Sequence, residues 1–254
     1  MPDPQDYLAT LVGRARRVLG EALVGAYAAG SLALDAYQPG RSDIDVALVV
    51  AAPLGEDVKR DLVAALRHET LPVPARGLEL VVYTVAAAGA GQAAPLFEVE
   101  LNTGPGMDFR ATYDPAQRPR EDGWFWYALD RSVLSGSHRS LLGPPAATVF
   151  ADVSAQDLQR LLVEALGWWM QVPGDTVDAV LGACRSLVRF RDGVWLSKMA
   201  AGERVVAQGH PLASVVDEAV AARQGDGTAP AEEAARRFQR AVRDEIRPSI
   251  GPTA

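Results

Sequence analysis

The chain has 254 residues, 48% of them apolar, and a formal net charge of −7. That is enough apolar material for one large domain or two ordinary ones, and it excludes global disorder. The acidic balance argues against a general nucleic-acid binder, which needs basic surface. A single cysteine, Cys184, excludes an internal disulfide and a cysteine-rich zinc site, and fits a reducing cytoplasm. His68, His138 and His210 show no metal-ligand spacing and read as surface or satisfied residues. The N-terminus lacks a charged-then-apolar signal pattern, no apolar stretch reaches membrane-span length, and no internal repeat is visible.

Residues 7–22 predict a first helix, with Leu8, Leu11, Val12, Ala15, Val18 and Leu19 on one stripe. Residues 23–29 predict a strand running into the turn Gly30-Ser31. Residues 34–37 predict a short helical turn, broken by Pro39-Gly40. Residues 43–50 predict a central strand with Ile44, Val46, Leu48 and Val50 on one face. An amphipathic helix follows over 56–68, a third strand over 78–83, and a small-residue loop over 86–94. Residues 98–102 alternate, placing Phe97, Val99 and Leu101 on one face and Glu98, Glu100 and Asn102 on the other. Residues 122–134 predict a helix with Trp124, Tyr127, Leu129 and Val133 inward. Pro144-Pro145 and Asp152-Val153-Ser154 mark a domain junction. Beyond it, helices are expected over 155–170, 176–191, 213–224 and 231–247, the last burying Ala234, Phe238, Val242 and Ile246. The expected fold is an α+β N-terminal domain with a mixed sheet over residues 1–150. An all-α helical bundle over 151–254 completes it, with a cleft between the two.

Within GSLALDAYQPGRSDIDVALVV, a Gly-Ser pair precedes Ser42-Asp43-Ile44-Asp45. Residues two apart on a strand face one side, so Asp43 and Asp45 project together, roughly 7 Å apart at about 3.3 Å per residue. Two such carboxylates repel unless a cation lies between them. Magnesium suits them, because it takes one or two carboxylates and fills its shell with water and substrate phosphates. Gly30 lets backbone approach a phosphate closely, and Ser31 adds a hydroxyl.

A metal site of this kind needs a base for the attacking hydroxyl, on a neighbouring strand facing the same way. Glu79 is the candidate, since a carboxylate in the apolar run Leu78-Glu79-Leu80-Val81-Val82 is costly to bury without a reason. Lys198 follows a helix ended by Asp192-Gly193. By spacing alone it is a surface lysine, although a lysine there could neutralise a triphosphate and its leaving group.

The chain resembles the streptomycin/spectinomycin (3″/9) adenylyltransferases, within the nucleotidyltransferase superfamily of DNA polymerase β-like fold. The matching stretches are GSLALDAYQPGRSDIDVALVV, PARGLELVVY, FEVELNTGPG, SLLGPPAATVF and DAVLGACRSLVRFRDGVWLSK, in order along most of the chain. The resemblance implies AMP transfer from ATP to a hydroxyl, with Asp43, Asp45 and Glu79 as the metal residues for two Mg²⁺ ions and Glu79 also as the base. It places Ser31 and Ser42, with Gly30, on the triphosphate. Lys198 falls on an ATP-phosphate lysine, and Arg185 on an arginine of the preceding helix. Asp175 matches a substrate-contacting aspartate and is also placed to cap its helix. Asp178, one turn on, and Glu98 and Glu100 are further acidic candidates for a cationic acceptor. The implied partners are ATP and a small, hydroxylated, cationic molecule such as an aminoglycoside, with no nucleic acid and no membrane. The implied state is a cytoplasmic monomer.

Two positions depart from the family pattern. A glycine usual in the Gly-Ser loop is replaced around Asp35-Ala36, which adds a negative charge. The tryptophan of streptomycin-modifying members is replaced by Gly104, which favours a spectinomycin-like acceptor over streptomycin. Alternatives are another hydroxyl acceptor, whether a natural product, a protein or an RNA, and a non-catalytic nucleotide binder.

Overall fold

The computed structural model describes residues 3–137, 139–171 and 174–247; His138 lies outside them. The chain divides into two compact units at Val153/Ser154.

The first unit is built on a six-stranded sheet of order β5-β4-β3-β2-β1-β6. Its strands are β1 (Leu23–Ala28), β2 (Ile44–Val50), β3 (Leu78–Thr84), β4 (Phe97–Gly104), β5 (Met107–Thr112) and β6 (Ser140–Leu142). Only β2 and β3 run parallel; the remaining pairs are antiparallel. Helices α1 (Pro4–Leu19) and α3 (Glu56–Leu66) pack against each other and bury Leu8, Leu11, Leu62 and Leu66 with Ile44, Val46, Leu48 and Val50. The opposite face carries an aromatic cluster of Tyr27, Tyr83, Phe97, Tyr127 and Phe150, covered by α5 (Phe125–Ser135) and α6 (Ala146–Val149). Arg131 of α5 is buried and donates to the carbonyls of Gln92, Ala94 and Pro95, so it satisfies the otherwise unpaired loop before β4.

Several expectations shift. The first helix ends at Leu19 because Gly20 takes a positive φ of 55°, and a short 3₁₀ turn covers Gly20–Ala22. The helical turn expected over 34–37 lies instead at Gly30–Ala33, designated α2. Part of the loop expected over 86–94 is α4 (Val85–Ala88), capped by the Thr84 hydroxyl. Trp124 is half-buried, and its indole N–H donates to the Arg118 carbonyl at 3.1 Å. A register shift pairs Val82 with Val99 but Tyr83 with Phe97. That bulge turns Phe97 into the aromatic cluster while Val99 and Leu101 stay on the α1/α3 side, so strict alternation fails at Glu98.

The second unit is all-helical: α7 (Ala155–Trp169), α8 (Thr176–Asp192), α9 (Lys198–Ala207), α10 (Ala213–Gln224) and α11 (Glu232–Ile246). Helix α8 packs on each of the other four and buries Val180, Leu181, Cys184, Leu187 and Val188. Gly193, at φ 72°, closes α8 in the left-handed conformation that glycine reaches without a Cβ penalty. The inward residue of α11's first turns is Ala235 rather than Ala234.

Candidate active site

Strand β1 leads directly into the site. The Ala29 N–H donates to the Asp45 carbonyl at 2.9 Å, tying the end of β1 to β2. Gly30 follows at φ 50°, and a Cβ built there would fall on the Asp45 carboxylate. Any other residue would displace that carboxylate. The Ser31 hydroxyl is buried without a hydrogen-bond partner, an arrangement that is costly unless something arrives to satisfy it. Ser42 is used differently. It is 6% exposed, its hydroxyl accepts from the Gln38 N–H at 3.0 Å, and its own N–H donates to the Gln38 carbonyl at 2.9 Å. Ser42 therefore closes the loop that delivers Asp43 to the start of β2.

Asp35 sits in that loop at φ 53°, one of two non-glycine residues with positive φ among those described. Aspartate tolerates the left-handed region better than most residues. Its carboxylate pairs with Arg139, which offsets the charge it adds.

Asp45 and Glu79 are direct partners across the parallel β2–β3 pair, and Glu79 in turn faces Asn102 on β4. Glu79 is exposed, yet the crowding of protein around its carboxyl removes enough water to raise its pKa to about 7. Asp43, Asp130 and Glu100 push the same way, and Arg110 opposes them. The site face thus concentrates negative charge.

Glu100 shares that face but is already paired. It is 5% exposed and accepts from Arg110 at 2.9 Å and from the Thr112 hydroxyl at 3.1 Å, with the buried Arg118 at 3.6 Å. Glu98, expected beside it, lies elsewhere. The bulge turns it toward α3, where it pairs with Lys59 at 2.9 Å and accepts from the Leu54 N–H. The joint acidic face expected of Glu98 and Glu100 is therefore corrected.

Among the described residues, no three His, Cys, Asp or Glu side chains stand close enough to hold a metal ion by themselves. Magnesium needs only one or two carboxylates when phosphate and water complete its shell. Asp43 and Asp45 would supply those carboxylates, and the orphan Ser31 hydroxyl could donate to a phosphate oxygen.

In the second unit, Asp175 caps α8, accepting from the N–H groups of Val177 and Asp178 at 2.9 and 3.2 Å. It also lines a recess with Trp169, Thr176 and Gln239. Asp178 is committed to cations: it binds Arg223 of α10 and, at 3.2 Å, Lys198 of α9. This corrects its reading as a free acidic contact for an acceptor. Arg185 and Arg189 both lie over the Trp195 ring, at 5.4 and 5.5 Å.

Residues 148–246 match the family described as aminoglycoside adenylyltransferase, C-terminal domain. The match covers the helical unit and makes that unit similar to the C-terminal domain of those enzymes. A sequence comparison with curated proteins gives no match. The fold is similar to that of spectinomycin adenyltransferase AAD(9) from Enterococcus faecialis, solved with ATP and spectinomycin. The TM-score is 0.67 at 15% identity, over 94% of this chain and 98% of that one.

The first unit brings together Gly30, Ser31, Asp43, Asp45, Glu79 and Glu100. The second unit brings together Asp178, Arg185 and Lys198, with Asp175 capping the same helix as Asp178. Sequence reasoning missed Arg110, Arg118, Trp195 and Arg223, together with β5, β6, α6 and α9. For α9 a signal was present: Ser197 caps it, its hydroxyl accepting from the Ala200 N–H at 3.2 Å, ahead of the helix-favouring Lys198-Met199-Ala200-Ala201.

Proposed function

We propose that the protein transfers AMP from ATP to a hydroxyl of a small cationic aminocyclitol or aminoglycoside. The observation that carries this reading is the Asp45–Glu79 pair beside Gly30-Ser31, a carboxyl whose pKa is raised to about 7 next to a buried hydroxyl that has no partner. Magnesium, held by Asp43 and Asp45 together with the phosphates, would neutralise the triphosphate and polarise the α-phosphorus. Glu79 accepts the proton of the attacking hydroxyl. The acceptor oxygen bonds to the α-phosphorus as the bond to the bridging oxygen breaks, giving an AMP ester and pyrophosphate. The Ser31 hydroxyl gains its missing partner by donating to a phosphate oxygen. Lys198 and Arg185 supply positive charge for phosphate.

The acceptor is spectinomycin-like rather than streptomycin-like. Gly104 packs on backbone: a Cβ there would lie 2.8 Å from the Arg76 carbonyl oxygen, so no tryptophan fits in its place. The neighbour solved with spectinomycin supports the same lean. Among the described residues no helix is long and apolar enough to cross a membrane, and we place the reaction in the cytoplasm, where ATP is available.

The test is incubation with Mg-ATP and a panel of aminocyclitols and aminoglycosides, read by mass spectrometry. The expected result is one AMP unit added to spectinomycin and none to streptomycin. No adduct on any panel member, with Mg-ATP binding intact, would overturn the acceptor class.

A further inference from the structure

We infer that Asp178 is a positioning residue for Lys198, with Arg223 as the strut that fixes Asp178. Three helices of the C-terminal unit thereby assemble one anion-binding cluster. The inference rests on the reading above that Lys198 binds the ATP phosphates.

Each member comes from a helix end. Asp178 lies in the first turn of α8, Lys198 is the first residue of α9, and Arg223 lies in the last turn of α10. Asp178 Oδ2 stands 3.2 Å from the Lys198 ammonium, and Oδ1 binds the Arg223 guanidinium. The side chains are 26%, 29% and 11% exposed for Asp178, Lys198 and Arg223, so this is not a screened surface pair. One carboxylate faces two cations, and Arg185 of α8 is near enough to act on Lys198 as well.

Asp178 is also what keeps Lys198 charged. Burial lowers the Lys198 pKa, and Arg185 and Arg223 push it down further; Asp178 raises it, by its charge and by its hydrogen bond. Asp178 itself is pushed up by burial, but Lys198 and Arg223 outweigh that and hold it below its usual range. Without Asp178, the lysine loses both its tether and its proton as pH rises. A mere fastener between helices would change stability and leave the pH dependence of nucleotide binding untouched.

The test is Mg-ATP affinity of the full chain by titration calorimetry from about pH 7 to 9, with Asp178→Asn expected to weaken about tenfold more than wild type over that range. Adding Lys198→Arg, which cannot deprotonate, restores a flat profile. Asp178→Glu keeps the charge and stays flat, which covers the case in which Asp178→Asn does not fold. A flat Asp178→Asn profile at wild-type affinity, or an Asp178→Glu profile that falls with pH, overturns the inference. Lys198→Ala separates the two levels. If it binds Mg-ATP like wild type, the phosphate role of Lys198 fails. If it binds weakly while Asp178→Asn matches wild type, only the positioning role fails.

Discussion

Asp45 and Glu79 stand side by side across the β2–β3 pair, and Gly30 closes on the Asp45 carboxylate from the end of β1. Three consecutive parts of the sheet thus meet at two carboxyl groups. The parallel register makes this possible, because it sets Asp45 level with Glu79 and leaves Val46 level with Leu80 in the core. A one-residue slip of either strand would turn its acid into the core among leucines and valines and separate the two carboxyls.

Glu79→Gln removes the proton acceptor and keeps the shape. We expect AMP transfer to fall about 10²–10⁴-fold, with Mg-ATP binding within a few-fold of wild type. Product mass spectrometry and calorimetry on the same preparation measure both. Normal turnover in this variant would remove Glu79 from the role of base.

Gly30→Ala tests the close approach. An alanine at φ 50° costs about 1–2 kcal/mol, and its methyl group would displace the Asp45 carboxylate. Transfer should drop about 10²-fold through misplacement of the reacting groups, while circular dichroism stays native. An active Gly30→Ala enzyme would show that the Asp45 position is not critical.

Much of this was legible in the sequence, for physical reasons. Ile44, Val46, Leu48 and Val50 pack on the α1/α3 side while Ala47 and Val49 pack on the aromatic side, so β2 reads as an apolar run in which Asp45 is the polar exception. Glu79 stood out as a charge in an apolar strand. What stayed hidden depends on tertiary pairing. The bulge at Glu98 is set by β3–β4 register, not by local composition, and it separates two glutamates that alternation puts together. Strand β6 is three residues long and exists only because β1 offers it an edge. Asp178 looked like a free acid because Arg223, its partner, is 45 residues away in sequence.

Gly104→Trp should not confer streptomycin modification. The backbone of Arg76 and Gly77 occupies the space where its side chain would start. Overpacking of this kind costs about 1–3 kcal/mol, so the variant should unfold at lower denaturant concentration and gain no streptomycin adduct. Appearance of that adduct in a stable variant would mean that the β4–β5 turn adapts.

Asp35 carries backbone strain that glycine would lack. The Asp35–Arg139 pair is solvent-exposed at 71% and 49% of the two side chains, so it contributes little. Asp35→Gly should be as stable as wild type or slightly more so. Asp35→Ala, which loses the pair and keeps the strain, should be about 1 kcal/mol less stable than Asp35→Gly. Equal denaturation midpoints for the two variants would show that φ at this position relaxes freely.

The last prediction concerns acid sensitivity of the helical unit. His210 is 8% exposed and packs edge-on against Phe238, with ring centroids 5.1 Å apart. Its Nδ1 accepts the Leu212 N–H at 3.1 Å, so the folded state uses the neutral ring. Burial lowers its pKa, and Arg191 adds to the effect while Glu245 opposes it. The folded protein therefore binds this proton less readily than the unfolded chain does. The unfolded state carries more protons below about pH 6.5, so this contribution to stability is complete above that pH. It is lost as pH falls through 6.5 toward the depressed folded value. Denaturation midpoints of the full chain should drop between about pH 7.5 and 5.5, and His210→Gln should flatten that drop while lowering stability at neutral pH. An unchanged slope in His210→Gln would assign the acid sensitivity to other groups.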